Sequence, residues 1–319
     1  SSPRMNVADL RTKGWEASVT WGDSFTLASK PFNYRIMAGI GDNTSKVTKY
    51  DNPNRTLTDP YEGQQLGEIW GYVVDGYFKT DEEARNYKVD QSFVNQMINA
   101  SALDNGLHAG DLKFVDLDGN NKIEQTTSAN DRKDMKVIGN SLPRYNYNFG
   151  ISADWYGIDF SVLFQGIGKQ NWYPGAETSM FWGPYSRPYA SFIPSDFMSQ
   201  VWSEENTNAY FPRPRGYVAL GSNRELAVVN TKYLQNLAYC RLKNLSIGYT
   251  LPDKWLSKIG FEKIRVYFSG ENLLTFTKLH SDYIDPEQAS ASNSWKTSKS
   301  DANIYPWAKT YSFGVDITF

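Results

Sequence analysis

Asp116, Asp118, Asn120, Lys122 and Glu124 recur at every second position of one polar stretch. In a calcium-type loop, positions 1, 3, 5, 7 and 9 supply oxygen atoms that converge on a hard cation, the seventh through its backbone carbonyl. These five residues fit that frame, with Lys122 contributing its carbonyl. Two positions depart from it: Asn121 stands where the turn glycine belongs, and Thr127 where the closing acid belongs. Asp131 lies four residues further on and is expected to close the site across a small insertion. The chemistry implied is a structural calcium ion. An Asx-rich turn, in which the same carboxylates cap nearby backbone N–H groups, accounts for these residues without a metal.

A second group could bind by stacking. Trp172, Tyr173, Phe181, Trp182, Tyr185 and Tyr189 crowd an irregular segment rich in proline. Exposed, they would stack on sugar rings or form a surface for a partner protein, since exposed aromatic patches mark interaction sites. For each residue taken singly, packing inside the loop explains it as well. Catalysis finds no support. His108 and His280 sit in irregular segments without a nucleophile or metal-ligand spacing nearby, and no pair of carboxylates is singled out as acid and base. The chain is therefore not expected to be an enzyme.

These groups lie in long stretches between segments of strict alternation. At the C-terminus Tyr311, Phe313, Val315, Ile317 and Phe319 share one face of an extended strand, and Ser312, Gly314, Asp316 and Thr318 the other. The same two-faced pattern predicts seven strands, over 14–22, 32–41, 144–155, 158–166, 239–250, 263–277 and 308–319. Apolar side chains on one face, polar ones on the other and aromatic residues near the ends describe a strand between lipid and a watery lumen. Arg35, Asp154, Asp159, Arg265 and Asp316 fall on the lumen side, where they are expected to pair with one another or hold a plug. Thr80 and Glu83 form a capping box that predicts a helix over 80–100.

The connections settle which all-β class to expect. Successive ones run to about ten, a hundred, two, seventy, a dozen and thirty residues, so short and long alternate as they do in outer-membrane barrels. Counting back from a periplasmic C-terminus puts every long loop outside the cell. Seven strands close no barrel, and an open edge in lipid strands backbone groups at a cost of several kcal/mol each, so other polypeptide must complete it. Lys and Arg number 33 against 35 for Asp and Glu, which gives no reason to expect a nucleic-acid partner. Aromatic residues make up 15% of the chain, suited to interfacial girdles or to carbohydrate surfaces. Cys240 is the only cysteine, so no internal disulfide forms. A different class, a secreted all-β carbohydrate-binding or glycosidase module, also fits the aromatic content, and extraction from membranes without detergent would favour it.

Several stretches, in combination and in order, resemble one family. They are Gly67-Glu68-Ile69-Trp70-Gly71-Tyr72 with Asp75-Gly76-Tyr77-Phe78, the run from Gly110 to Asn120, and Val137-Ile138-Gly139-Asn140 before Pro143. Arg241-Leu242-Lys243-Asn244-Leu245 with Gly248-Tyr249, and Gly270-Glu271-Asn272-Leu273, complete the set. Together they resemble the C-terminal part of SusC-like TonB-dependent outer-membrane transporters over nearly the whole chain. The resemblance implies a transmembrane antiparallel β-barrel of 22 strands with long extracellular loops, of which this chain supplies the C-terminal strands. It implies import of oligosaccharides or peptides across the Gram-negative outer membrane. The partners it implies are a SusD-like surface lipoprotein over the mouth, the N-terminal barrel and plug portion, and TonB acting through that plug. The sequence itself shows no plug domain.

Overall fold

The computed structural model describes residues 7–94, 106–186, 192–256, 260–289, 299–300 and 305–319. Seven long strands form one antiparallel sheet in chain order: β1 (Ala8–Leu27), β2 (Lys30–Tyr50), β3 (Arg144–Trp155), β4 (Ile158–Lys169), β5 (Tyr239–Thr250), β6 (Lys263–Glu271) and β7 (Thr310–Thr318). A short piece, Thr275–Thr277, pairs with the start of β5. Each strand pairs with its sequence neighbour, as an up-and-down barrel wall requires. No helix among the described residues is long and apolar enough to cross a membrane.

Two strands are longer than their periodicity shows. β1 and β2 run on at the loop end, where Lys13, Arg11 and Asp9 follow Trp15 and the apolar face gives way to charge. Their turn is two residues, Ala28–Ser29, and not the ten predicted. Both residues are left-handed, with φ of 48° and 63°. That conformation defines the mirror-image turn matching strand twist, and glycine or asparagine normally supplies it. Tyr156–Gly157, with φ of 47° and 84°, makes the same turn between β3 and β4. β6 stops at Glu271 rather than near 277, because Asn272 adopts φ 54° and turns the chain before Thr275–Thr277 resumes pairing.

Register keeps one face apolar from strand to strand. Ile36 stands opposite Ile151, and Ile151 opposite Val162. Phe149 and Phe164 are also partners, their rings stacked at 4.7 Å, and Phe268 meets Phe313 at 5.3 Å. Such cross-strand pairs are the units that stabilise a sheet. No described element covers this face: Phe313 is 83% exposed, Ile317 48% and Ile151 41%. So much contiguous apolar surface suits hydrocarbon, not water.

The long connections carry their own core. Short pairs (Glu68–Tyr72 with Met135–Asn140, and Val74–Tyr77 with Leu112–Phe114) and the segment 171–237 enclose Phe114, Trp172, Tyr173, Trp182, Phe211 and Tyr233, all essentially inaccessible. Two ion-pair sets tie the pieces together. Arg144 grips Asp42 with two 2.5 Å bonds where β2 parts from β3. Buried Asp111 accepts from Arg213 Nε at 2.9 Å and from Arg215, whose Nε lies 3.3 Å from Glu225. The capping-box signal marks a real but short helix, α1 (Asp81–Arg85), with Glu83 N donating to Thr80 Oγ1 at 3.1 Å. The predicted helix ends early, at Asn86, and its last part, 95–100, lies outside the described residues.

Candidate functional site

The acidic loop folds around its first aspartate. Asp116 accepts from the N–H groups of Gly119 and Asn121, each at 2.7 Å. Asn121 sits at φ 61°, so it takes the left-handed turn that glycine makes in the usual frame; asparagine tolerates that conformation better than other side chains. Asp118 accepts from Asn120 N at 3.1 Å, and Lys122 N donates to Asn120 Oδ1 at 2.8 Å. Ile123 is fully buried and pins the loop to the core. Glu124 turns aside to Lys133 Nζ at 3.3 Å and Asn120 Nδ2 at 3.1 Å.

The acid that joins Asp116 and Asp118 is Asp134, and not Asp131 as the spacing suggested. One carboxylate oxygen from each of Asp116, Asp118 and Asp134 lies within 4.8 Å of the others. Asp131 is exposed, and its backbone N–H bonds Ser128 O in a tight turn. Asp134 is inaccessible and accepts from Leu117 N at 2.8 Å and Glu124 N at 2.7 Å. Burial, and then the charges of Asp118 and Asp116, hold its carboxyl above the ordinary aspartate value despite those two bonds. Each carboxylate has lone pairs beyond the bonds it accepts, so the three can take a hard cation that would relieve their repulsion. Asp134 escaped the sequence frame because it reaches the loop from behind, beyond any loop spacing.

The stacking residues are not a surface. Trp172, Tyr173, Phe181, Trp182 and Tyr185 are buried in the loop core, which overturns the binding role expected of them; Tyr189 lies outside the described residues. Their polar atoms bond inward: Tyr173 Oη donates to Leu226 O at 2.8 Å, Trp182 Nε1 to Gly175 O at 3.0 Å and Tyr185 Oη to Pro212 O at 2.7 Å. These rings pack together with aliphatic residues such as Leu112, Ile123, Leu226 and Leu237 to fill that core.

On the inner face part of the expected charge pairing is seen, in Arg265 with Asp159 and Asp316. Arg265 of β6 bonds Asp159 of β4 through Nε at 2.8 Å and Nη2 at 2.6 Å, and Asp316 of β7 at 3.2 Å. Asp154 accepts from Asn33 at 2.8 Å, and Arg35 faces the same side opposite Ser152. Asp159 and Arg265 are not on adjacent strands; they meet across Gly248 of β5, where a Cβ would lie 2.5 Å from Asp159 Oδ1 and 2.6 Å from Arg265 Nε. Gly248→Val is therefore expected to split the pair and overpack the wall, costing about 1–3 kcal/mol in urea unfolding of the bilayer-inserted protein. An unchanged midpoint would show that the wall yields without loss.

No protein-family model matches the chain. It is 27% identical over 338 residues to TonB-dependent receptor P3 of Formosa agariphila, covering all of this chain and 30% of that one. It is 21% identical over 317 residues to TonB-dependent receptor SusC of Bacteroides thetaiotaomicron, covering 99% of this chain and 27% of that one. Among solved structures, the RagAB peptide importer in its open-open state superposes with a TM-score of 0.64 at 19% identity, over 98% of this chain and 29% of that one. The chain thus spans about 30% of the length of the curated relatives it matches. Over its whole length, in sequence and in fold, it matches the C-terminal part of a SusC-like TonB-dependent receptor.

Proposed function

We propose that this chain forms the last strands and outer loops of an outer-membrane barrel that imports oligosaccharides or peptides. Its long loops face outward, its C-terminus lies in the periplasm, and a SusD-like lipoprotein closes over the mouth. TonB acts on the N-terminal plug portion, and nutrient passes through the lumen by gating, not by chemistry. The observation that carries this reading is the sheet: an apolar face that no described element covers, a polar inner face, and short connections at one end against folded loops at the other. It is tested by deleting the locus and restoring the full-length protein, scoring growth on oligosaccharide and on peptide, and by affinity purification from outer membranes. Loss and rescue of growth, with one lipoprotein co-purifying, is the expected result. Normal growth of the deletion strain on both nutrients would contradict it.

The acidic loop is read as a structural calcium site. Three carboxylates converging beside a buried anchor support this. Calcium is expected to raise the melting temperature of the loop unit by a few degrees, by mass action on the folded state, and Asp134→Asn should abolish the rise. Because Asp134 is held above the usual carboxylate value, lowering the pH through that value lets protons compete with the ion, and the calcium effect should fade. Calorimetry that detects no heat at neutral pH, with Asp116, Asp118 and Asp134 intact, would retire the site.

A further inference from the structure

Where β5, Thr275–Thr277 and β7 meet the loops, a cleft of about 540 Å³ opens. Its floor includes Arg241 and Thr275, which pair in register with each other and, through Arg241, with Gln165. Gln165 continues the inner-face series Asp159, Ser161 and Leu163, so the cleft lies on the lumen side of the rim. Arg241 is not free to recognise an anion: it bonds Asp285 at 2.6 Å, Glu287 at 2.6 Å and Thr275 at 3.0 Å, and it is buried. Asp285 also accepts from Trp307 N at 3.1 Å, which fixes the backbone of the cleft's far wall.

That wall and its opposite carry exposed rings. Phe192 and Tyr283 meet edge-to-face at 4.8 Å, while Tyr305 is 89% exposed and Trp307 52%. This contrasts with the loop core, where rings of the same kinds are sealed. Asp282 and Lys309 stand exposed at the margin, and Asn272 Oδ1 is buried without a hydrogen-bond partner among the described residues.

We propose that this cleft is a subsite for a pyranose ring of an oligosaccharide. The axial C–H face of a sugar stacks on an aromatic ring, and its hydroxyls both donate and accept. Tyr305 and Trp307 offer the rings, Asn272 Oδ1 and Asp282 accept, and Lys309 donates. Two opposite charges at the rim leave no net field, as suits a neutral ligand. A peptide would instead call for an unpaired cation for its carboxylate terminus at the floor, where Arg241 is already saturated. The subsite rests on the import reading and names its substrate class.

The test uses the full-length transporter with its lipoprotein in detergent. Cellohexaose, maltohexaose, xylohexaose and mannohexaose are titrated by calorimetry and tryptophan fluorescence, with hexapeptides as competitors. At least one hexasaccharide should bind and shift the emission. Tyr305→Ala with Trp307→Ala should weaken it at least tenfold, and Trp307→Phe should retain most of the affinity because the ring remains. Binding of none of the sugars, sugar affinity unchanged in the double variant, or displacement by hexapeptides at equal concentration would each overturn the subsite. The variant's outer-membrane yield and its growth on peptide separate the two readings: if both are normal while sugar binding fails the test, the subsite falls and the import reading stands.

Discussion

Trp182→Ala is expected to cost the loop unit about 3–5 kcal/mol, the range for a large aromatic removed from a packed core. The side chain is fully buried, with Phe181 at 4.8 Å, Tyr233 at 5.2 Å, Tyr173 at 6.3 Å and Phe211 at 6.4 Å between ring centroids. Rings cannot flow into the space left behind, because the hydroxyls of Tyr173 and Tyr185 are tethered to backbone carbonyls. The change also removes the indole bond to the Gly175 carbonyl at 3.0 Å, although that oxygen still accepts from Thr178 N at 3.1 Å. Met198→Ala, at a largely exposed position of the same segment, should stay within about 0.5 kcal/mol. Thermal melting followed by fluorescence and protease sensitivity reads both variants. The gel mobility shift of the unheated barrel should persist in Trp182→Ala, since the wall strands make their own contacts. A Trp182→Ala protein that melts with the parent would mean the ring is not a core residue.

Ile151→Arg is expected to cost about 2–4 kcal/mol, the range for an arginine on the lipid face near the bilayer midplane. Ile151 lies in the middle of β3, between Ile36 and Val162, with Tyr147 and Trp155 four residues away on the same face. An arginine there can reach neither interface without distorting the wall. Asn148→Arg places the same charge on the inner face of the same strand, beside Gly39 and Gln165, where water and space are available, and should cost little. Folding into lipid vesicles against urea measures both. Equal losses would mean that the two faces of β3 do not differ in solvent.

The face of every long strand could be read from alternation alone, because a period of two leaves only one way to sort Tyr147, Phe149 and Ile151 from Asn146, Asn148 and Gly150. The ends of β1 and β2 could not. Beyond Trp15 and Gly41 polar residues interrupt the apolar series, so the alternation stops while the hydrogen bonding continues as far as Ala8 and Tyr50. The turn at Ala28–Ser29 carried no glycine or asparagine to announce its positive φ angles. Composition drew attention to Trp172, Tyr173 and Trp182 but cannot say which side of a surface a ring occupies, and with no periodicity over 170–237 their burial had no signature. Half of the acidic loop was legible. Asp116 and Asp118 sit in a local frame, whereas Asp134 is brought in by the packing of Met135–Asn140 against Glu68–Tyr72, a tertiary event that no local spacing records.

Each wall strand separates hydrocarbon from water. Single nitroxide labels at 146–154 of the full-length transporter in bilayers, read for collision with oxygen and with a water-soluble nickel chelate, test it most directly. The prediction is a period of two, with oxygen contact highest at 147, 149, 151 and 153 and the intervening positions lacking that enrichment. Odd positions shielded from both reagents, as in the dry interior of a soluble sandwich, would contradict it.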